Sequence, residues 1–283
     1  MSRTIQEKAL LATILAPTRA ASECPPGQFC GPSVDEYFPE AILFAGTPFE
    51  LNRILLIRLL AVAVVILFLW LGTRSLKVVP TRGQVAVEFA LDFVRKGIAI
   101  DTLGEKDGRR FMPLLFTIFF LTLGLNLTGT IPGLQIASTG LIGQPILLAV
   151  IAYVVFVYAG VRKFGAGGFL KNSLWLPGVP VFIKPIIAVL EFLSTFIVRP
   201  VTLTLRLTMN MVAGHMLLTL CFLATGFFFS LLLDGNAIGA IGAGTLLMGI
   251  AFTVLEIFVA GLQAYIFTIL TAIYIQLALA ESH

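Results

Sequence analysis

The chain has 283 residues, 58% of them hydrophobic and only 12% charged, against roughly 25% charged residues in an ordinary soluble domain, which excludes a water-soluble globule. The charge is also unevenly spread: residues 1–110 hold 13 Lys/Arg and 11 Asp/Glu, residues 111–283 only 6 and 4. The formal net charge of +4 comes from basic residues in short clusters that flank apolar runs, so it points to membrane topology rather than to a nucleic-acid-binding face.

Apolar runs of the ~20 residues that a helix needs to cross hydrocarbon recur along the chain, and the alternation of a membrane β-barrel does not. The expected fold is an all-α integral membrane protein with about five membrane-embedded helices plus one interfacial amphipathic helix. Residues 1–50, with Pro25, Pro26, Gly27, Gly31, Pro32 and several acids, read as an irregular extramembrane segment, and residues 51–283 as a single polytopic membrane domain. Arg3, Lys8 and then Ala9–Ala16 loosely imitate a signal peptide, but the apolar core is short and Arg19 follows closely, so cleavage is not expected. Cys24 and Cys30 either pair, if the N-terminus is outside, or stay as free thiols. Cys221 lies inside an apolar run, and with only His215 and His283 no metal spacing exists.

The first span covers about 54–72, with Arg58 able to extend its head toward the interface, and Arg74, Lys77 and Arg82 end it. Residues 84–100 are too charged to cross. Counted at ~100° per residue from Glu88, the charged Asp92, Arg95 and Lys96 lie within about 80°, while Phe89, Ala90, Phe93, Val94 and Ile100 cover roughly 100–240°. This suits a helix lying in the membrane interface, the alternative being a soluble helix packed on a partner.

Residues 111–161 carry no charge and divide at Pro132-Gly133 and Ser138-Thr139-Gly140 into spans of about 111–131 and 141–161, a helical hairpin followed by a Gly-rich loop (Gly165, Gly167, Gly168). From Pro180 to Ala280 the chain is apolar, broken at Asp234-Gly235-Asn236 into segments 180–232 and 238–280. Both exceed a perpendicular crossing and are expected to be strongly tilted, broken or partly interfacial. With the N-terminus outside, inner loops collect 12 basic residues from Arg74 to Lys184 and the outer side only Arg3, Lys8, Arg19 and Arg53. That bias favours an outer N-terminus and an inner C-terminus.

Ionisable groups inside spans cost roughly 2.5–3.5 kcal/mol at the bilayer centre on insertion scales and are functional candidates by default. Counted from Arg206, Lys184, Glu191, Thr195, Arg199, Thr202 and Asn210 all fall within about 60°, one polar stripe with Pro200 as an expected kink. His215, nine residues on, falls about 180° from Arg206. On the last segment Gln263, Tyr274, Thr245, Gly249 and Ala260 lie within about 40° of Glu256, and Thr253 at about 60°. Bland alternatives stand beside each: Arg199 snorkels or pairs with Glu191, and Glu256 or His215 is a structural hydrogen-bonding group. Gly235–Gly239 is either a GxxxG packing pattern or a connection. A carboxyl and an imidazole can relay protons, whereas an arginine stays charged. Without a nucleophile–base set, phosphate loop or HExxH motif, no covalent catalysis, metal or cofactor is expected.

The run Arg199 to His215 (RPVTLTLRLTMNMVAGH) resembles the signature of subunit a of F-type ATP synthases; Leu255 to Thr268 (LEIFVAGLQAYIFT) resembles its second signature, and Asn126 to Gly133 (NLTGTIPG) a looser third. The likeness runs in order over about residues 40–280. It implies a non-catalytic stator subunit of a proton-translocating rotary ATPase in the bacterial plasma membrane, its last two helices tilted against a rotating ring of c subunits. The other implied partners are peripheral-stalk b subunits, the remaining ATP synthase subunits and membrane lipid, with no nucleic acid. Arg206 matches the arginine that faces the ring carboxylates and separates two half-channels; His215 and Glu256 match a pair in the outer half-channel, and Asn210 and Gln263 match polar positions near the arginine. Asn126 is implied to line the outer half-channel, while Glu191, Arg199, Thr202 and Tyr274 are further candidates for half-channel lining. Thr208-Met209 departs from the family's usual Phe-Gly, which bears on local packing. The competing readings are a stand-alone ion-coupled secondary transporter, which should show an internal repeat that residues 54–161 and 180–280 do not, and, more distantly, an intramembrane enzyme.

Overall fold

The computed structural model describes Gly31 and residues 41–43, 51–74, 82–130, 140–174 and 183–280. Cys24, Cys30, Pro132-Gly133 and most of the N-terminal segment lie outside these residues. Seven α-helices follow one another among the described residues: α1 (Arg53–Arg74), α2 (Arg82–Val94), α3 (Asp101–Leu127), α4 (Gly143–Leu174), α5 (Lys184–Leu193), α6 (Arg199–Leu233) and α7 (Ile241–Leu279). Two short strands, β1 (Ala41–Leu43) and β2 (Leu51–Asn52), pair antiparallel ahead of α1. Five helical stretches are long and apolar enough to cross a membrane: Ile54–Leu71, Val87–Thr130, Gly143–Leu170, Pro185–Leu233 and Ala237–Leu279.

Three joints were not read from hydropathy. Helix α2 continues through a π-turn, Arg95–Ile100, into α3, and the bend comes at Gly104 (φ 75°, ψ 176°) rather than in a loop. In α4 the Gly-rich stretch is likewise a single-residue break, at Gly165 (φ 74°, ψ 164°), after which helix resumes to Leu174. A left-handed φ is inexpensive only for glycine, so one residue suffices to turn the chain. The returning turn lays Phe169 over Gly160, where a Cβ would collide with the ring, and edge-on to Phe156 at 5.6 Å. The third joint is the π-turn Ser194–Val198 between α5 and α6, immediately before Pro200. Proline has no N–H and its ring crowds the carbonyl four residues back, and the wider i→i+5 turn relieves both.

The turn between α6 and α7 follows from Asp234-Gly235-Asn236. Gly235 takes φ 86°, the Gly235 N–H donates to the Leu232 carbonyl at 3.0 Å and the Asn236 N–H to the Leu231 carbonyl at 3.0 Å, a Schellman closure. Asn236 then caps the next turn by accepting from the Ile238 N–H at 3.1 Å. Gly239 is buried with the Leu232 backbone where its Cβ would be, so the GxxxG pair serves one glycine as a turn and the other as a close approach.

The chain divides into two compact units built from non-contiguous stretches: Met1–Ala63, Gly124–Leu141 and Met209–Gly261, and Val64–Leu123, Ile142–Thr208 and Leu262–His283. In the first, Ile54 of α1 packs with Leu141, Val212 and Met216. In the second, Val94 at the end of α2 and Ile98 and Ala99 of the following π-turn pack with Leu115, Phe119, Ala264 and Ala272. The apolar face expected on residues 84–100 is therefore split: Val94 turns inward while Phe89 and Phe93 stay exposed.

Candidate functional site

The first unit gathers three of the sequence-predicted residues. Glu256 of α7 and His215 of α6 are both buried, at 8% and 4% exposure. The Glu256 carboxylate occupies the space that a Cβ on Gly214 would fill, so a glycine beside the histidine lets the acid reach the α6 backbone. The imidazole lies within electrostatic reach of that carboxylate, and its Nε2 is 3.5 Å from the Thr219 hydroxyl, one turn further along α6. Asn126, buried at the end of α3, donates from Nδ2 to the Ala260 carbonyl at 3.5 Å, one turn of α7 beyond Glu256. A carboxylate and an imidazole in a secluded polar spot, with an amide beside them, form a set that can exchange protons.

The second unit holds Arg206 and a separate cluster around Arg199. The Arg199 guanidinium is 3.3 Å from Glu191 Oε1 and the Thr195 hydroxyl donates to the same oxygen at 3.1 Å. Arg199 also lies over the Tyr274 ring at 5.4 Å. Arg199, Thr195, Tyr274 and Tyr153 border a cavity of about 10 Å³, close to the space that one water needs. Of the two readings open for Arg199, the pair with Glu191 is present. The stripe counted at a constant 100° is interrupted: Thr202 and Arg206 are exposed, whereas Thr195 is buried and Glu191 half-buried, because the π-turn between them changes the phase of the helix. Thr202 spends its hydroxyl on the Val198 carbonyl at 2.8 Å. Gln263 is buried.

Arg206 differs from Glu191, Arg199 and Glu256. It is exposed on α6, flanked by the exposed apolar Val201, Leu205 and Met209, and among the described residues it makes no ion pair. Leu203, Leu207 and Met211, by contrast, are buried on the same helix. Asn210, one turn along from Arg206, is exposed.

The family described as ATP synthase A chain matches residues 55–276. The chain is 45% identical to ATP synthase subunit a of Rhodococcus erythropolis, over 96% of both chains. It belongs to the ATP synthase A chain family. Further relatives carrying the same name come from Streptomyces lividans, 37% identical over 82% of this chain and 81% of that one, and from Gluconobacter oxydans, 39% identical over 90% and 96%. Family membership together with five long apolar helices makes this a multi-pass membrane protein.

The family match spans every candidate residue from Asn126 to Tyr274. Sequence reasoning missed three contributors. Thr219 carries a legible signal, standing four residues after His215 and so on the same face. Thr195 was visible on the stripe but not as the hydroxyl between Glu191 and Arg199. Gly214 carries no signal of its own, since its role exists only once Glu256 from a residue forty-two positions away lies against it.

Proposed function

We propose that this chain is the proton-conducting stator subunit of a rotary F-type ATP synthase, itself without catalytic chemistry, working in the bacterial plasma membrane beside a ring of c subunits and the b subunits of the peripheral stalk. The membrane domain then runs over 51–283 with 1–50 outside it, the N-terminus outward and the C-terminus cytoplasmic, in keeping with the 12-to-4 split of basic residues. The last two long helices lie strongly tilted against the ring, as their length beyond a simple crossing requires.

The observation that carries this reading is the state of Arg206: a permanent cation exposed among Val201, Leu205 and Met209 with no ion pair among the described residues. A bare charge on an apolar membrane face needs a counter-charge from a partner, and a ring carboxylate supplies one. Protons come from outside past Asn126, Glu256 and His215 and neutralise a ring carboxylate, which travels almost a full turn through lipid before releasing its proton inward. Glu191, Arg199, Thr202 and Tyr274 belong to the lining of the half-channels, while Asn210 and Gln263 are polar positions near the arginine. Arg206 favours the ionised carboxylate as it passes and its fixed charge repels protons from a direct leak. Each proton crossing is worth ~2.3 kcal/mol per 100 mV, so several are coupled to each ATP.

ATP-driven proton pumping in vesicles holding the whole complex tests this. Arg206→Ala is expected to abolish pumping in a fully assembled complex, and undiminished pumping would overturn the reading. Family membership and the lack of an internal repeat both speak against a stand-alone transporter.

A further inference from the structure

Threonine hydroxyls in apolar helices commonly donate to the carbonyl four residues back, and this chain does so repeatedly: Thr204 to Pro200, Thr208 to Thr204, Thr225 to Cys221, Thr268 to Ala264 and Thr271 to Phe267. Thr122 does not. It is 0% exposed and its Oγ1 makes no hydrogen bond, and the Oε1 of Gln144, a residue 6% exposed, is left without a partner as well. Buried polar atoms in this state are rare in folded proteins, and each calls for a reason.

The register of the packed helices puts the two at one level with a third. Phe111, Ala159 and Ile275 form one apolar cluster, and Ile118, Leu148 and Phe267 belong to the next. Passing from the first to the second therefore ascends α3 while descending α4 and α7. One further turn in that direction leads to Thr122 on α3, Gln144 on α4 and Gln263 on α7, and residues four apart share a helix face. By that register three buried polar side chains from three helices lie one turn beyond the apolar layer, all within the second unit.

We propose that this layer is a wetted stretch of the ion path, in which Thr122 and Gln144 hold water beside Gln263. The proposal rests on the proton-conducting reading above. Neither side chain ionises: Gln144 Oε1 accepts from water, and the Thr122 hydroxyl donates or accepts. The proton is handed from one water to the next, one O–H bond forming as another breaks, and the two side chains act as positioning residues. A purely structural role predicts the reverse of a functional one here. Replacing an unpartnered buried polar group by an apolar side chain of similar shape is neutral or stabilising, whereas drying the path slows protons.

The test is the double variant Thr122→Val with Gln144→Leu in the intact ATP synthase complex, read by passive proton conduction through the membrane sector, ATP-driven pumping and thermal stability of the purified complex. Conduction and pumping are expected to fall by about an order of magnitude, equivalent to ~1.4 kcal/mol on the barrier, while the complex assembles with unchanged or higher thermal stability. Thr122→Ser, which keeps the hydroxyl, is expected to keep the flux. Undiminished flux in the double variant, a flux loss that tracks a loss of stability, or failure of Thr122→Ser to retain flux would each overturn the proposal. Arg206→Ala measured alongside separates the two readings: if it pumps normally the proton-conducting function fails, and if it is dead while the double variant conducts normally only the wetted layer fails.

Discussion

Arg199 and Arg206 stand two turns apart on one helix, and the chain treats them in opposite ways. Arg199 is held by Glu191 at 3.3 Å, rests on the Tyr274 ring and borders a cavity the size of one water. Arg206 is exposed, unpaired among the described residues and framed by apolar side chains. The residue type is the same, so the difference lies in what surrounds it: one positive charge is answered inside the chain and the other, among the described residues, is not. Glu256, buried against Gly214 beside His215, belongs with Arg199 in this respect. Its environment is complete within a single unit of the fold.

The sharpest way to break this contrast is to make the two arginines lysines. Lysine keeps the charge but loses the rigid fork and can surrender its proton. Arg206→Lys is expected to lower ATP-driven pumping by two or more orders of magnitude, at least about 2.7 kcal/mol on the barrier. Arg199→Lys still reaches Glu191 and is expected to stay within a few-fold of the parent. If the effects were reversed, the exposed arginine would not be the one on which coupling depends.

Surface chemistry gives a second test of comparable size. Single cysteines replacing Leu205 or Met209, which share the exposed side of α6, should crosslink to the ring subunit in the assembled complex, while cysteines replacing the buried Leu207 or Met211 should not. Crosslinking without regard to side would remove the case for a partner at Arg206. A smaller loss is expected from Gly214→Ala, whose new methyl collides with the Glu256 carboxylate. Pumping should drop about tenfold, ~1.4 kcal/mol on the barrier, and shortening the acid in the double variant Gly214→Ala with Glu256→Asp should recover part of it. An unaffected Gly214→Ala variant would show that the acid's position against α6 is immaterial.

The five long apolar helical stretches and the α6–α7 turn at Asp234-Gly235-Asn236 were legible in the amino-acid order, because apolar run length and turn chemistry are local signals, and Arg206, His215 and Glu256 stood out as candidates because they are charged or polar in a charge-poor region. What escaped is non-local or too small for hydropathy to register. Gly104 and Gly165 turn the chain with one residue each, which a composition window averages away. The π-turn at Ser194–Val198 re-phases a helix without altering its apolarity. In a membrane the lipid-facing and core-facing sides are both apolar, so that Phe89 is exposed while Val94 is buried cannot be read from periodicity. The orphaned Thr122 was invisible for the same reason: its sequence context is that of the threonines which bond back to their own helix.

The smallest expected effect concerns the internally answered arginine itself. If Glu191 and Arg199 hold each other, removing either leaves the other a half-buried, unanswered charge, and removing both leaves neither. A double-mutant cycle with Glu191→Ala, Arg199→Ala and the combination, read as thermal stability of the purified complex, should therefore be non-additive, with the double variant less destabilised than the sum of the singles. The side chains are 24% and 31% exposed, and partial solvation screens such a pair, so the coupling should be about 0.5–1 kcal/mol. Strict additivity would mean that the 3.3 Å contact contributes nothing and that Tyr274 alone holds Arg199, through the face of its ring. In that case Tyr274→Leu, which removes the ring, should cost more stability than Glu191→Ala, and the opposite ranking would return the guanidinium to its carboxylate.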